Sequence, residues 1–279
     1  MLNNWFEWKK RTSFTSDSRG RKKIMGFRVH HLLGAAAIAM LASLNHNAVA
    51  SAQDQKVLTF ATDPTYPPFE FEKDGKLVGF DMDLIDAVGK AAGFEPKIES
   101  VPFDGIIPAL KAGSYDGAIA AMVATEERAK SIAFSVPYFK TGAVILVKAD
   151  DTTINGIDDL KGKRIAVELG SAFAELAAKV PDSTVSTFSG SNAPLIELQN
   201  GNVDAVIGDE IASDHAAKSG AAKGIKMLPG LISNDFYAIG FPQGSKNIEL
   251  VNSGLKKVIE SGEYSALYKK WFNREAPKF

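Results

Sequence analysis

The chain has 279 residues, of which 45% are hydrophobic and 23% charged, and its formal net charge is −1. It contains no cysteine, which excludes disulfides, thiol catalysis, cysteine metal sites and a lipid anchor attached to cysteine. The length allows either one large hydrophobic core or two smaller ones.

The first fifty residues have the pattern of a secretory signal peptide rather than of a folded domain. Basic residues are concentrated between positions 19 and 28, an apolar stretch runs from residue 32 to residue 44, and small residues precede position 51. The apolar stretch is shorter than the ~20 residues that a membrane-spanning helix needs, so a membrane anchor is the weaker alternative. The sequence therefore predicts a signal peptide over residues 1–50 and a periplasmic mature protein.

Removal of residues 1–50 changes the charge and the chemistry that the chain carries. It takes away 8 of the 32 basic and 2 of the 33 acidic residues, which leaves 24 against 31 and a net charge near −7. Nucleic acid is therefore not an expected partner. Of the four histidines only His215 remains, so we predict no histidine catalysis, no metal site and no cofactor. We expect His215 on the solvated face of a helix over residues 210–219.

Strand-like and helix-like segments alternate after residue 57. The runs VLTFATD and KIESVPF predict strands, and the amphipathic runs DLIDAVGKAAG and IIPALKAG, which follow them, predict helices. This alternation favours βαβ units on a mostly parallel sheet. We place the first helix between an N-cap at Asp81 and an end at Gly93.

A second series of the same kind follows the run FSVPYFKTGAVILVKAD and closes near residue 240. It includes the strand-like runs RIAVELG and VDAVIGD, and two helices over residues 246–261 and 264–272 then end the chain. The chain is thus predicted to be an α/β protein of two lobes, each a mostly parallel sheet flanked by helices, joined by two short hinge crossings. Lobe 1 covers residues 55–138 and 239–279, lobe 2 covers residues 142–232, and the hinge crossings are residues 138–142 and 232–238.

Several motifs of the chain resemble those of a known family. The segment GFDMDLIDAVGKAA at 79–92 resembles the signature of the family 3 bacterial extracellular solute-binding proteins, the polar amino-acid binders of ABC transporters. The resemblance extends through ATDPTYPPFEF at 61–71, FDGIIPAL at 103–110, ATEER at 124–128, DAVIGD at 204–209 and YKKWF at 268–272. It implies a type II periplasmic binding fold, in which a monomer holds a free L-amino acid between two closing lobes and passes it to a permease at the inner membrane.

Arg128 is the candidate partner of the ligand's α-carboxylate, because a guanidinium offers a rigid two-donor fork that matches a carboxylate. Thr125 is predicted to cap a helix, so Arg128 would lie in its first turn and oppose the helix dipole by ~0.3–1 kcal/mol unless an anion is bound. An ion pair with Glu126, Glu127 or another surface acid is the alternative. In the resembled family an arginine here clamps the carboxylate. Val123 departs from the family, which usually has a threonine or serine there, so one hydrogen bond to the carboxylate is expected to be missing.

Further polar groups are predicted at the turns that follow strands. The turns at 122–125 and 170–172 would point backbone N–H groups at the cleft, and Ser171 would add a hydroxyl unless it only caps the next helix. Asp209 ends a strand and corresponds to the family's acid for the α-ammonium, with the carbonyl of Ala121 as a second acceptor. An N-cap of the following helix is the alternative role of Asp209.

The ligand side chain is expected to meet two rings and two acids. Asp63, Tyr66 and Phe103 correspond to the family's side-chain pocket, although the two rings have ordinary core positions as an alternative. Glu168 stands where relatives commonly carry glutamine, lysine or leucine. With Asp63 it would form an acidic pocket that favours arginine, lysine, ornithine or histidine over an acidic ligand, with glutamine still open. The alternative is a Glu168 turned outward or paired with a lysine.

Three classes of function are compatible with these residues. The first is a binding protein without chemistry, whose closed form is stabilised by the ligand. The second is an enzyme on the same fold, similar to the cyclohexadienyl dehydratases that act on prephenate or arogenate, with Glu168 or Asp209 as the acid. The third is a binding protein that docks to a sensory receptor. Two acids around an ammonium explain the same residues without catalysis, so the sequence favours a binding protein and not an enzyme.

Overall fold

The computed structural model describes residues 56–277. These residues form two five-stranded sheets that are joined by a pair of strands. The predicted signal peptide lies outside them. Within residues 56–277, no helix is both long enough and apolar enough to cross a membrane.

The elements alternate along the chain as the sequence predicts, and the predicted α/β class is confirmed. The strands are β1 (Lys56–Thr62), β2 (Thr65–Tyr66), β3 (Glu70–Lys73), β4 (Lys76–Val78), β5 (Phe94–Ser100), β6 (Gly117–Ala118), β7 (Ala133–Phe134), β8 (Phe139–Thr141), β9 (Ala143–Lys148), β10 (Arg164–Glu168), β11 (Thr184–Phe188), β12 (Ala205–Asp209), β13 (Ile225–Met227), β14 (Asp235–Tyr237) and β15 (Gly240–Phe241). The helices are α1 (Phe80–Ala92), α2 (Phe103–Lys111), α3 (Glu126–Ala129), α4 (Ala172–Ala177), α5 (Asn192–Asn200), α6 (Glu210–Ser219), α7 (Asn247–Glu260) and α8 (Glu263–Phe272), with a 3-10 turn at Ile157–Leu160.

The two sheets have the same mixed design. The first has the order β5-β1-β6-β15-β7 and the second the order β11-β10-β12-β9-β13. In each, one central strand pairs in parallel with two neighbours, β1 with β5 and β6, and β10 with β11 and β12. However, β15 and β9 are antiparallel to both of their neighbours. The prediction of mostly parallel sheets is therefore wrong, because β9 and β15 enter directly from the other sheet without a crossover helix.

The chain passes between the sheets along two strands that lie side by side. β8 leads from β7 to β9, and β14 leads from β13 to β15. The two strands pair in antiparallel register, with Thr141 opposite Asp235 and Phe139 opposite Tyr237. The two passages are thus hydrogen-bonded to each other instead of being separate tethers.

An aromatic core anchors these connecting strands to the first sheet. The ring of Phe69 meets the rings of Phe139 and Tyr237 edge-on, with centroids 4.9 and 5.2 Å apart. Phe80 and Phe272 extend the cluster, with centroids 5.0 Å apart. Burial of each such side chain contributes about 1.5–3 kcal/mol, so β8 and β14 are held firmly at this end.

The start of α1 differs from the prediction. The helix begins at Phe80 after Gly79, whose φ is 144° and where a Cβ would lie 1.9 Å from the carbonyl oxygen of Phe69. The N-cap prediction for Asp81 is therefore wrong, since Asp81 is already the second residue of the helix and makes no cap. The predicted end at Gly93 is confirmed by its left-handed φ of 83°. The carboxylate of Asp81 is consequently available for other contacts.

Helix α6 has the predicted limits, but His215 does not lie on a fully solvated face. The imidazole is half-buried, and its centroid lies 6.3 Å from that of the Phe71 ring on β3. Burial lowers the pKa of His215, while Asp214 opposes this shift. The expectation of a solvated role is thus corrected to a packing contact between α6 and β3.

Candidate functional site

A small cavity lies where loops from the two sheets meet. It is lined by Tyr66, Phe103, Ala120, Ala121, Val123, Arg128, Glu168, Ser171, Ala172 and Phe173. Seven of the nine predicted site residues are in this lining. A second, somewhat larger cavity shares Tyr66, Glu168 and Phe173 with the first and adds Asp209. Asp63 lines neither cavity.

Arg128 is placed by the short helix α3. Thr125 is its N-cap, as predicted, and the Thr125 hydroxyl oxygen accepts a hydrogen bond from the backbone N–H of Arg128 at 3.1 Å. One terminal nitrogen of the guanidinium donates to the carbonyl of Val123 at 2.7 Å, and the other donates to the carbonyl of Gly170 at 3.0 Å. Val123 follows β6 and Gly170 follows β10, so the guanidinium joins loops of the two sheets.

The charge of Arg128 has no direct partner among residues 56–277. The residue is 5% exposed, and none of the ion pairs in this part of the chain includes it. Burial lowers the pKa of Arg128, although Glu175 and Glu168 oppose this effect from a distance. Glu127 pairs with Lys130 instead, so the alternative of an ion pair between Arg128 and this neighbour is wrong.

The guanidinium retains groups that can bind an anion. Two of its five N–H groups donate to backbone carbonyls, and the other three have no acceptor within the described chain. One face of the guanidinium lies 5.4 Å from the centroid of the Phe103 ring. Because a buried cation without an anion is costly, this arrangement favours the binding of a carboxylate.

The predicted acid for the ammonium, Asp209, is already satisfied by the protein. It caps α6, because one carboxylate oxygen accepts the backbone N–H groups of Ile211 and Ala212 at 2.7 and 2.9 Å. The other oxygen accepts the hydroxyls of Thr141 and of Tyr237, the latter at 2.6 Å. Burial raises the pKa of Asp209, and these hydrogen bonds lower it in part. Four donors fill the usual capacity of a carboxylate, so an ammonium would be attracted by charge without a free lone pair.

The carbonyl of Ala121 is the more accessible acceptor. No donor from residues 56–277 reaches this oxygen, and the residue lines the smaller cavity. Ala121 has a left-handed φ of 41°, which costs a residue other than glycine about 1–2 kcal/mol. A backbone carbonyl without a donor, on a strained residue that lines the cavity, is a candidate acceptor for a ligand.

Glu168 faces the cavity rather than the solvent. It is 8% exposed and forms no ion pair with a lysine of the described chain, so neither alternative for this residue holds. Burial, and then the negative charge of Asp63, raise the pKa of Glu168 from 4.5 to about 8, while Arg128 lowers it. At neutral pH this carboxyl group is therefore mostly protonated.

Asp63 lies outside the cavity lining and positions a residue that belongs to it. Its carboxylate accepts the N–H and hydroxyl of Thr65 at 3.0 and 2.7 Å and the backbone N–H of Phe103 at 2.8 Å. It thereby fixes the start of α2 and the position of the Phe103 ring. Its charge reaches the cavity through the effect on Glu168.

Ser171 caps α4, as the alternative for this residue predicts. Its hydroxyl accepts from the backbone N–H of Ala174 at 3.1 Å and donates to the carbonyl of Glu168 at 2.7 Å. The hydroxyl proton is thus used within the protein. Ser171 fixes the turn that carries Glu168 and Gly170 to the cavity.

Tyr66 and Tyr237 link the cavities to a buried hydrogen-bond network. Tyr66 lines both cavities, and its hydroxyl is hydrogen-bonded to that of Tyr237, which in turn donates to Asp209. Tyr237 and Thr141 were missed from the sequence, because they lie in the connecting strands and contact Asp209 only after these strands pair. Phe173 was also missed, although it lies only two residues after the predicted site residue Ser171.

No group of three or more histidine, aspartate or glutamate side chains within residues 56–277 is arranged to hold a metal ion.

Comparison with known proteins identifies the family. Residues 58–274 match the model of the bacterial extracellular solute-binding proteins, family 3. The chain is a family 3 solute-binding protein. The resemblance of the motifs to this family is thereby confirmed over nearly all of the described residues.

Individual relatives of this solute-binding protein agree with the assignment. It is 33% identical over 240 residues to the arginine-binding periplasmic protein of Mannheimia haemolytica, with 83% of this chain and 97% of the relative covered. It is 33% identical to ABC transporter arginine-binding protein 1 of Escherichia coli strain K12, with 84% and 96% covered. These relatives are binding proteins by name, and this chain is likewise a binding protein and not an enzyme.

A solved structure supports the predicted fold. The arginine-, lysine-, histidine-binding protein ArtJ of Geobacillus stearothermophilus superimposes with a TM-score of 0.76 at 36% identity, with 79% of this chain and 97% of that chain covered. The predicted type II fold is confirmed by this similarity.

Loops of the two sheets touch around the cavity of this solute-binding protein. Gly170 approaches α2 so closely that a Cβ on it would lie 3.0 Å from the Cα of Asp104. The hydroxyl of Ser191 donates to the carbonyl of Thr65 at 2.6 Å. The site is thus enclosed by contacts that the protein itself makes across the cavity.

Proposed function

We propose that the chain is the binding component of an ABC transporter for a free L-α-amino acid with a cationic side chain. Arginine, lysine, ornithine and histidine are favoured slightly over glutamine. The observation that carries this proposal is the buried guanidinium of Arg128, which has no ion-pair partner within residues 56–277 and three N–H groups free for a carboxylate.

The two charged ends of the amino acid have distinct partners in this proposal. The α-carboxylate lies against Arg128, where a charge-assisted fork gives both strength and orientation. The α-ammonium donates to the carbonyl of Ala121, and the negative charge of Asp209 attracts it. Val123 offers its carbonyl to Arg128 and no hydroxyl to the ligand, so the clamp depends more heavily on the guanidinium.

The side chain of the ligand extends towards Glu168. Tyr66 and Phe103 form apolar walls, and Glu168 lies close enough to Asp63 for the two charges to interact. A cationic side chain would neutralise this acidic end, whereas an acidic side chain would be repelled. The names of the relatives, which include arginine- and histidine-binding proteins, support this choice.

The two sheets are proposed to belong to two lobes that close over the ligand. We keep the boundaries at residues 55–138 with 239–279 and at residues 142–232, with the hinge in the segments 138–142 and 232–238. The paired strands β8 and β14 lie within these segments. A ligand that contacts both lobes stabilises the closed form through its differential affinity.

The cellular setting is part of the same proposal. Export through the predicted signal peptide at residues 1–50 would bring a monomeric protein to the periplasm, where it delivers its ligand to a permease at the inner membrane. The periplasmic name of one relative and the ABC transporter name of another support this setting. Nucleic acid has no role in it, in keeping with the net negative charge after residue 50.

Arg128→Ala is expected to weaken L-arginine binding by about 100-fold or more, because the ligand carboxylate would be desolvated without its cation. Isothermal titration calorimetry on the folded variant measures this loss. Arg164→Ala is the matched control, since Arg164 pairs with Asp204 at the surface and should leave the affinity unchanged. Equal affinities of the wild type and the Arg128 variant would refute the clamp.

Arginine binding is expected to depend on pH through Glu168. Because the pKa of Glu168 is raised to about 8, the carboxyl group must lose a proton to meet a cationic ligand. The affinity should therefore rise by up to about tenfold per pH unit between pH 6 and 8 and level off above pH 8. Calorimetry in buffers of different ionisation enthalpy should also detect about one released proton at pH 7.

Glu168→Gln separates this effect from other titrations. The variant should lose the pH dependence and bind arginine more weakly, while glutamine binding changes little. A variant that keeps the wild-type slope, or that loses arginine and glutamine equally, would remove Glu168 from the specificity pocket.

Gly170→Ala is expected to weaken ligand binding by obstructing the close contact with Asp104. Gly162→Ala is the control, because Gly162 has a similar φ of 68° but no atom within 4 Å of the point where a Cβ would lie. Both variants should lose about 1–2 kcal/mol of stability from the left-handed alanine, and only the first should lose affinity. Identical affinities for the two variants would contradict closure at this contact.

A further inference from the structure

The Ala121 carbonyl is presented by a turn that a distant carboxylate holds. The backbone N–H of Ala121 donates to one carboxylate oxygen of Asp81 at 2.9 Å. This bond fixes the orientation of the peptide between Ala120 and Ala121, which enters the left-handed residue Ala121. The Ala121 carbonyl belongs to the next peptide, so the bond acts on it through the backbone of Ala121. Ala121 lines the cavity, and no donor in residues 56–277 reaches its carbonyl oxygen.

Asp81 is itself rigidly placed. It is fully buried in the first turn of α1, and its backbone N–H donates to the carbonyl of Phe69 at 2.9 Å. The hydroxyl of Tyr138 donates to the same carboxylate oxygen at 2.6 Å. Asp81 makes no helix cap, so its side chain serves the Ala121 turn and Tyr138 instead of its own helix.

A second buried acid completes the arrangement. Glu70 on β3 is fully buried beside Asp81, and with both groups ionised its two oxygens and the second Asp81 oxygen would lack a donor. A proton on Glu70 removes this conflict by forming a hydrogen bond to Asp81. Burial, and then Asp81, raise the pKa of Glu70 well above its usual range. Burial raises the pKa of Asp81 to about 6, so Asp81 is ionised at neutral pH.

The titratable groups next to Asp81 offer its carboxylate no positive charge. The titratable groups that interact with it are Glu70, Tyr138 and Tyr264, and burial raises the pKa of each tyrosine. None of the three is a cation. The amide of Ala121, the Tyr138 hydroxyl and the protonated Glu70 are therefore the groups through which the protein stabilises this carboxylate, since burial of an unpaired charge is costly.

We propose that Asp81 is a positioning residue for ligand recognition, whose carboxylate holds the Ala120–Ala121 peptide so that the Ala121 carbonyl accepts the ligand's α-ammonium. The inference rests on the proposed function, because it requires an α-amino acid in the cavity. It also explains why a buried acid pair lies outside the cavity and contacts it through one backbone amide.

A pair of ligands tests this role in the full-length mature protein. L-Arginine has the α-ammonium, and 5-guanidinopentanoate is the same molecule without it. Asp81→Ala should weaken arginine binding by about tenfold or more and change 5-guanidinopentanoate binding by less than about twofold. Calorimetry measures both affinities, and thermal melting verifies that the variant is folded.

Tyr138→Phe is the matched control. It removes the other hydrogen bond to the same Asp81 oxygen but leaves the bond to Ala121. It should lower the melting temperature and leave the ratio of the two affinities at the wild-type value. Equal losses for both ligands in the folded Asp81 variant would overturn the proposal, as would an unchanged affinity for arginine.

A second measurement does not depend on the folding of a variant or on ligand binding. In ¹⁵N-labelled wild-type protein, the amide proton of Ala121 should shift as Asp81 titrates, with a midpoint near pH 6. Gly113, a positive-φ turn residue without a neighbour within 4 Å of a Cβ, is the reference amide and should not follow this titration. An Ala121 amide that does not titrate would overturn the proposal, whereas a wild type that binds no amino acid would contradict the proposed function alone.

Discussion

The site depends on a guanidinium that the protein's own loops bury, that of Arg128. Arg128 is held by two backbone carbonyls, one from a loop of each sheet, and no carboxylate of the described chain neutralises it. A cation in this position is tolerated because its N–H groups are partly satisfied and an aromatic ring covers one face. Because a buried cation without a counter-ion is costly, this position favours the binding of an anion at one end of the small cavity.

Around this cation, most of the other polar side chains are already used by the protein. Asp209 and Ser171 cap helices, and Asp63 fixes the start of α2. Hydrogen bonds within the protein fix the positions of these residues. Recognition is thereby concentrated on the few polar groups that lack a full set of hydrogen-bond partners in the protein, which are the guanidinium, one strained carbonyl and a protonated carboxyl group. Such preorganisation reduces the ordering cost of binding.

Local signals explain how much the sequence revealed. The strand and helix alternation, the caps at Thr125 and Asp209 and the motif at 79–92 are encoded by neighbouring residues, so they were predictable. The mixed sheets were not, because β15 inserts beside a strand more than a hundred residues earlier. Nor did any local pattern indicate that Asp81 binds the amide of Ala121, forty positions away, since the spacing gives no periodicity and the helix offers a simpler role as a cap.

The position of β15 in the first sheet also constrains the order in which the two sheets can fold. This strand, residues 240–241, lies between β6 and β7, whereas all strands of the second sheet fall between residues 143 and 227. A growing polypeptide therefore has every strand of the second sheet available before the first sheet can be completed. The later sheet is free to assemble on its own, and the earlier one must wait for the chain to return.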